Sequence, residues 1–299
     1  MLARIQQFIA VTLVVSTLVA FVAGVNVGKP WLALVWVALV ILGYFAVLAA
    51  EFWLLRSSYG PGDAARPTIA QLIRAWAAEV TCAPRVFLWH QPFASRREPD
   101  HLPASAAGRR GVLLVHGFFC NRGLWNPWLR RLRAADIPFI AVSLEPVFGS
   151  IDRYARTIAL ATRELERVTG LAPVIAAHSM GGLAARAWLA GDSEARAYRI
   201  VTIASPHTGT RLAIRRHAAN IAQMAQASDW LAALVTREST RPRAQLVCFW
   251  SHCDNIVFPT RNATLPGADN RHLEATPHVQ MVFHPAVFDE VLRCASAPA

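Results

Sequence analysis

The stretch that decides the fold is 173–189, PVIAAHSMGGLAARAWL. It begins as a short apolar run typical of a buried strand and ends with the composition of a helix. At the junction, 177–181 (AHSMG) places a serine between small residues, as a tight strand-to-helix turn requires where backbones approach closely. Such a turn lifts the serine hydroxyl out of the sheet toward a histidine base, which activates it as a nucleophile. Ser179 is therefore the candidate nucleophile, and His178 and Gly181 support its motif.

The upstream stretch 111–118, GVLLVHGF, predicts a second buried strand that ends at a glycine turn. With the serine turn, the run His116, Gly117 and Phe118 resembles the oxyanion loop of the α/β-hydrolase superfamily, in particular of bacterial lipases and esterases. The resemblance implies that the backbone N–H groups of Phe118 and Met180 receive the negative charge that acyl transfer builds on a carbonyl oxygen. His116 is expected to pack within this loop rather than to contact substrate.

In this family the acid follows the nucleophile along the chain, and the base comes last. A strand-like run at 245–250 leads into 251–257, SHCDNIV, which resembles the family's Asp-x-x-Val loop. Asp254 is therefore the expected acid, with Asp269 as its nearest rival. The alternative role for Asp254 is that of an ordinary loop carboxylate or a helix cap.

The base is expected in 276–281, TPHVQM, because this family delivers its histidine from a turn near the C-terminus. His278 is the predicted base. Two other histidines lie close in sequence: His284 precedes a proline at the predicted start of the last helix, and His272 lies in a strand-like segment. Calcium-binding lipases of this group often have an aspartate two residues after the base, where this chain has Gln280. We therefore expect no metal, and the implied chemistry needs no cofactor.

A fifth match is at 200–210, IVTIASPHTGT, which resembles the Pro-His-x-Gly-Thr segment that bacterial lipases carry after the strand following the nucleophile helix. His207 is then a residue of the family pattern and not the base. The matches together span about 112–291. The resemblance implies an α/β-hydrolase fold: a mostly parallel sheet with helices on both faces and a helical cap insertion.

The order of the elements agrees with this expectation. Predicted strands and helices alternate, which argues for a parallel sheet covered by helices; the strands are 112–116, 138–144, 173–178 and 199–204, and the helices 123–135, 151–168 and 181–190. The hydrolase core is expected at 111–299, with the cap insertion at about 208–241, where 211–227 and 230–235 are helix-like. The segment 57–110 is predicted to be a linker and the leading elements of the domain: a helix at 69–80, a short strand at 85–89 and a charged loop at 95–110.

The first 56 residues are predicted to form a membrane anchor of two transmembrane helices, at about 8–25 and 31–55. Each apolar run approaches the ~20 residues that cross a bilayer. A secretory signal would have a shorter apolar run before a polar mature chain, although the first run could still be cleaved or interfacial. Arg4 and Arg56 flank the hairpin and only Lys29 lies in its turn. The positive-inside rule then places both ends in the cytoplasm of what we expect to be a bacterial inner membrane. If one helix alone spans, the domain lies on the other side.

Charge favours a membrane partner over a nucleic acid. The net charge is +11, and every cation after residue 56 is an arginine. A basic surface beside a bilayer attracts anionic headgroups, whereas no nucleic-acid recognition fold is evident. Arg215 and Arg216 in the cap are candidates for lipid contact, and solvated helix faces are the alternative. Five cysteines without zinc or redox spacing favour a reducing compartment.

The resemblance implies a membrane-anchored serine hydrolase that cleaves acyl esters through an acyl-enzyme, with Ser179, His278 and Asp254 as its triad. The expected substrates are lipids or lysophospholipid-like esters, because an apolar cap beside a membrane-anchored site suits them. Two alternatives stay open: an esterase or amidase for small soluble acyl compounds, and a non-catalytic hydrolase-like membrane scaffold. The sequence does not set the oligomeric state.

Overall fold

The chain opens with two long helices, α1 (Leu2–Asn26) and α2 (Leu32–Ser57), joined by a short turn. The computed structural model describes residues 1–60, 62–63, 65–213, 218–238 and 243–298. Both helices are long and apolar enough to cross a membrane, and most of their side chains are exposed. Leu2 on α1 and Phe52 and Leu55 on α2 are buried, at the ends nearest the rest of the chain. We call α1 and α2 the N-terminal hairpin.

The segment after the hairpin is helical. Thr68 begins α3 (Ile69–Pro84) with a capping box, in which its hydroxyl accepts from the N–H of Gln71 and the Gln71 side chain accepts from the N–H of Thr68. The predicted helix is thus confirmed. The predicted strand at 85–89 is wrong: Arg85–His90 is a π-helical segment that continues into the single turn α4 (Gln91–Phe93). A short apolar run does not distinguish strand from helix by periodicity, and here a capped helix precedes it without a break.

The sheet is parallel throughout and has the strand order β2-β1-β3-β4-β5-β6. The strands are β1 (Val112–Val115), β2 (Phe139–Ala141), β3 (Val174–His178), β4 (Arg199–Ile203), β5 (Leu246–Trp250) and β6 (Asp269–His272). Their carboxyl ends therefore meet at one edge, and the order reverses at β1, where ligands of such sheets bind. The predicted parallel sheet is confirmed.

Helices cover both faces of this sheet. One face carries α5 (Asn126–Ala134) and α10 (Pro285–Ala295), and the other α6 (Ile151–Thr169) and α7 (Met180–Gly191). Alternate residues of β1 show why: Leu114 enters the first core with Trp128, and Leu113 enters the second with Tyr154. Because both faces of the sheet bury apolar side chains, the sequences of the strands are nearly unbroken apolar runs.

Two further helices, α8 (Ala219–Met224) and α9 (Asp229–Arg237), lie between β4 and β5. The predicted helix at 211–227 is therefore helical only over 219–224 within the part that the structure describes. Arg215 and Arg216, the candidates for lipid contact, lie outside the described residues. Short 3₁₀ segments complete the fold at Ala104–Ala106, Arg122–Trp125, Arg243–Gln245, Thr260–Ala263 and Gln280–Phe283.

A third apolar cluster joins the hairpin to the domain. It consists of Phe52, Leu55, Leu72, Ala75, Cys253, Phe258 and Ala275, with Leu212 packed against it. We call it the junction cluster. It brings the end of α2 and the middle of α3 onto the loop that follows β5, at the carboxyl edge of the sheet.

Candidate active site

Ser179 occupies a strained turn between β3 and α7. Its φ is 53° and its ψ is −126°, a region that residues with a Cβ rarely adopt. The Ser179 N–H donates to the Ile203 carbonyl at 2.8 Å, which fixes the turn to the neighbouring strand. A Cβ at Gly117 would lie 2.7 Å from the Ser179 Cβ, and one at Gly181 would lie 2.6 Å from the His116 carbonyl oxygen. Both glycines are therefore needed for the close approach of the two loops.

Asp254 and His278 form a buried pair. The His278 Nδ1–H donates to Asp254 Oδ1 at 2.9 Å and lies 3.1 Å from Oδ2. The N–H groups of Ile256 and Val257 also donate to Oδ1, each at 2.9 Å, so the carboxylate is fixed by its own loop. Because Nδ1 carries the proton, Nε2 of His278 is left as the basic atom.

The pKa of His278 is raised above its ordinary value. Burial favours the neutral ring and lowers the pKa, but the charge and hydrogen bond of Asp254, followed by the charges of Glu79 and Glu51, outweigh burial. A base with a raised pKa binds a proton readily. His278 thus has the raised basicity expected of a general base.

The base and the nucleophile turn meet through His178. The rings of His178 and His278 have centroids 4.7 Å apart, and the His178 Nε2–H donates to the His278 carbonyl at 3.3 Å. Burial, with the nearby His278, holds the pKa of His178 well below its usual range, so this ring is neutral. Within the described residues no hydrogen bond joins Ser179 Oγ to His278 Nε2; such bonds are often long until substrate binds.

Among the described residues, the backbone N–H groups of Phe118 and Met180 have no protein acceptor within hydrogen-bonding distance. Met180 is the first residue of α7, where the helix dipole concentrates positive charge. The loop that carries Phe118 is held by His116, whose Nδ1–H donates to the Gly117 carbonyl at 2.8 Å and whose Nε2 accepts from the Leu144 N–H at 2.9 Å. Burial lowers the pKa of His116 to about 4, so the ring stays neutral. These contacts give His116 a role in holding the loop.

His207 lies in a different buried network. Its Nε2 is 3.0 Å from Thr202 Oγ1, and Arg186 Nη1 donates to its carbonyl at 2.9 Å. Arg186 also forms two bonds of 2.7 Å with Glu238. His207 therefore ties α7 to the loop after β4 and is not hydrogen-bonded to Asp254.

The rival residues have other partners. Asp269 is exposed and pairs with Arg271, His272 stacks on His252 with ring centroids 4.8 Å apart, and His284 begins α10 by accepting the Ala286 N–H. None of them is hydrogen-bonded to Ser179 or Asp254 in the described part of the chain. No group of His, Cys, Asp or Glu that could hold a metal ion occurs among the described residues.

Three further residues hold the base loop and were missed by the sequence analysis. Asn255 Oδ1 accepts from the His278 N–H at 3.1 Å, and Asn255 Nδ2 donates to Glu51 Oε2 at 2.7 Å. Glu79 is buried and accepts from the N–H groups of Val279 (2.9 Å) and Gln280 (3.1 Å). The sequence did contain a sign of the role of Glu79. This residue lies with Leu72 and Ala75 on the apolar stripe of α3, where a carboxylate is unexpected.

Comparisons with known proteins agree with this fold. A family model described as the alpha/beta hydrolase family matches residues 112–288. Among solved structures, the mature form of lipase BlEst2 from Bacillus licheniformis is similar with a TM-score of 0.57 and 15% identity, over 65% of this chain and 96% of that one. Lipase B of Aspergillus fumigatus is similar with a TM-score of 0.54 and 17% identity, over 69% of this chain and 57% of that one. At these identities the likeness concerns the fold. No curated protein sequence matches the chain.

Proposed function

Since this chain belongs to the alpha/beta hydrolase family, we propose that it is a membrane-anchored serine hydrolase that cleaves carboxylic esters of lipids. Ser179 is the nucleophile, His278 the base and Asp254 the acid. The observation that carries the proposal is the buried Asp254–His278 pair, which stands at the same sheet edge as a serine held at positive φ. Strain of this kind is stored at sites of function and persists only where the surroundings enforce it.

The reaction follows from the positions of the groups. Ser179 Oγ attacks the ester carbonyl while its proton passes to His278 Nε2, and the N–H groups of Phe118 and Met180 bind the developing oxyanion. His278 then gives the proton to the leaving alcohol, which leaves an acyl-enzyme. Water hydrolyses this ester by the same steps, with His278 again as the base. Asp254 keeps Nδ1 protonated and stabilises the imidazolium throughout.

The hairpin supports the membrane assignment. On each helix roughly 20 residues separate the turn from Gln6 or Glu51, a length on the order of 30 Å, which matches the hydrocarbon core of a bilayer. Phe8, Leu34 and Trp53 are among its most exposed side chains, with 72, 73 and 68% of their surface accessible. Exposed apolar surface on this scale favours a lipid environment. The flanking arginines favour a cytoplasmic domain.

A lipid substrate is supported by the position of the site relative to the hairpin. Asn255 Nδ2 donates to the Glu51 carboxylate of α2, and Gln6 Nε2 of α1 donates to the Phe119 carbonyl, so both helices contact the carboxyl edge of the sheet, where Ser179 lies. Substrate that partitions into the bilayer would then reach the nucleophile without crossing much water. Phe118, which packs near the partly exposed Phe148, would offer apolar contact at the mouth of the site.

A fluorophosphonate probe tests the nucleophile, because it modifies only an activated serine. The detergent-solubilised protein should be labelled at Ser179, and Ser179→Ala should lose the label while the control variant at the exposed Ser105, Ser105→Ala, keeps it. If the native protein is not labelled, the hydrolase-like scaffold becomes the better account.

Substrate class is tested by free-acid release from esters of graded acyl length in mixed micelles, and from phospholipid and lysophospholipid vesicles. We expect the rate to rise with acyl length until the chain partitions into the micelle. A rate that falls steadily beyond short chains, or faster cleavage of small soluble amides, would favour the soluble-substrate alternative.

A further inference from the structure

The loop that carries the base is held from outside the sheet. Three successive N–H groups, of His278, Val279 and Gln280, donate to the side chains of Asn255 and Glu79. Asn255 is itself oriented by Glu51, which lies near the end of α2. A chain of two hydrogen bonds therefore runs from a carboxylate of the hairpin to the backbone of the catalytic histidine.

The oxyanion loop has a matching contact with the other helix of the hairpin. Gln6 on α1 is 3% exposed and donates from Nε2 to Gln91 Oε1 at 3.1 Å and to the Phe119 carbonyl at 3.4 Å. Asn121, in the same loop, lies 3.5 Å from Gln6 Oε1 and donates its N–H to Gln91 at 3.0 Å. Phe119 has a φ of 52°, so this loop keeps an unfavourable backbone next to Phe118.

Polar side chains are rare in α1 and α2, and the side chains of Gln6 and Glu51 face the rest of the protein. Glu51 is the one charged residue between Trp31 and Leu55, and Gln6 precedes an apolar run that begins at Phe8. Taking a polar group out of water is costly unless it is hydrogen-bonded, and both the half-buried Glu51 and the buried Gln6 are hydrogen-bonded to the domain. Fastening the hairpin to the domain would need only apolar contacts such as those of the junction cluster. Other polar side chains of the hairpin bond elsewhere, as Gln7 does to the Pro92 carbonyl, but the bonds of Glu51 to Asn255 and of Gln6 to the Phe119 carbonyl reach the two loops that bear the base and an oxyanion donor.

We propose that the N-terminal hairpin is part of the active site: Glu51 of α2 positions the His278 loop through Asn255, and Gln6 of α1 positions the loop of Phe118. The inference rests on the proposed function. Glu51 and Gln6 are positioning residues, since they act through Asn255 and the 119–121 backbone and do not touch the reacting atoms. The hairpin thus couples membrane insertion to the geometry of catalysis.

Loss of positioning lowers the rate of chemistry more than it weakens substrate binding. A carboxylate that orients a catalytic group through a second residue contributes about 10- to 100-fold in rate, and a displacement of ~1 Å is enough for the larger loss. Glu51 also acts by charge. The groups that face His278 are Asp254, Glu79 and Glu51, which favour its protonated form, and His178, which is neutral.

Five variants of the full chain in detergent micelles test this: Glu51→Leu, Glu51→Gln and Gln6→Leu, with Thr12→Val and Glu194→Gln as controls at exposed positions of α1 and the domain surface. For each, the rate of fluorophosphonate labelling, kcat, KM, the pH dependence of kcat/KM and Tm are measured. Glu51→Leu and Gln6→Leu should lower the labelling rate and kcat about 10- to 100-fold with KM changed less than threefold.

Glu51→Gln separates the effect of the hydrogen bond to Asn255 from the effect of the Glu51 charge on His278 and from an effect on folding. Its amide oxygen still accepts from Asn255, so kcat at high pH should stay within about threefold of the native value. Removal of the negative charge lowers the pKa of His278, so the acid limb of kcat/KM moves to lower pH. A purely structural contact would change Tm and leave that limb in place.

The outcomes are distinguishable from failure of the proposed function. If the native protein is not labelled, the serine hydrolase assignment fails before the variants are compared. If the native protein is labelled, and Glu51→Leu and Gln6→Leu are labelled at its rate, the hairpin is only a tether and the inference is wrong. Losses equal to those of the two control variants would overturn it as well.

Discussion

Replacement of the buried carboxylate Glu79 by an amide, Glu79→Gln, should stabilise the protein at high pH while it impairs the base loop. Glu79 is 1% exposed, and burial raises its pKa from 4.5 to about 7, against the opposing hydrogen bonds of Val279 and Gln280 and the charge of His278. A group whose pKa is raised on folding contributes stability that is present below the unfolded pKa and is lost as the pH rises through the folded one. Between pH 4.5 and pH 8 the native protein therefore loses free energy of unfolding on the order of 3 kcal/mol at this residue.

The amide cannot ionise, so the variant avoids that loss. At pH 5 the native Glu79 is protonated and resembles glutamine, so the two proteins should differ by less than ~1 kcal/mol. At pH 8 the variant should be more stable by about 3 kcal/mol, a rise in Tm on the order of 6–12 °C for a chain of this size. Its kcat should nevertheless fall, because the NH₂ group cannot accept from the N–H of Gln280.

The assay is thermal unfolding in detergent at pH 5 and pH 8, with Glu290→Gln as the matched control. Glu290 is 5% exposed, and hydrogen bonds with Arg293 and Arg271 lower its pKa to about 2. Its contribution is present above the unfolded pKa and is lost only as the pH falls toward 2, so Glu290→Gln should destabilise to a similar extent at both pH values. Two results would refute the reasoning. One is a change in Tm on Glu79→Gln that is the same at pH 5 and pH 8, and the other is a native protein that is more stable than the variant at pH 8.

Three further predictions concern the site and its support. Asp254→Asn should lower kcat by about 10³- to 10⁴-fold. It should also move the acid limb of the kcat/KM profile to lower pH, because the charge that raises the pKa of His278 is removed. An acid limb at the same pH as in the native protein contradicts this. Gly117→Ala should lower the rate of fluorophosphonate labelling by at least ~100-fold, since the added Cβ would lie 2.7 Å from the Ser179 Cβ. The control Gly191→Ala, whose Cβ meets no atom within 4 Å, should be labelled at the native rate. Arg186→Met should reduce the free energy of unfolding by about 3 kcal/mol in denaturant titration, because the buried Glu238 loses both of its hydrogen bonds with Arg186 and keeps only the longer ion pair with Arg243 at 3.6 Å. A change below about 1 kcal/mol rules this out.

The parts of the fold that repeat a local pattern could be predicted from the sequence. The apolar runs at β1, β3 and β4 alternate with helical segments such as the amphipathic α6, and this order, rather than the runs alone, favours buried parallel strands. The structure has these elements within a few residues of the expected bounds. The strand predicted at 85–89 failed because Val86 to Trp89 are too few to show a period, and the preceding helix, not the run itself, decides their conformation.

Within the site, the sequence could name side chains but not the bonds between them. Ser179, Asp254 and His278 follow from a chain order and three motifs, and the structure adds the contact of His278 with Asp254, which lies 24 positions earlier. The hydrogen-bond partners of the loop that carries His278 could not be predicted from the sequence. Glu51 and Glu79 lie about 200 positions before the N–H groups that they serve, so no local pattern links the two.

Glu51, Gln6 and Glu79 nevertheless share a property that is visible in the sequence: each breaks the pattern of its own helix. Glu51 and Gln6 interrupt or border apolar runs long enough to cross a bilayer, and Glu79 interrupts the buried stripe of α3. Such violations are expected where function requires them and the surrounding structure compensates. All three lead by hydrogen bonds to the loops around Ser179, none to the opposite edge of the sheet. The departures of these three residues from hydrophobic patterning therefore point to the sheet edge where the proposed active site lies, although none of the three is proposed to touch the reacting atoms.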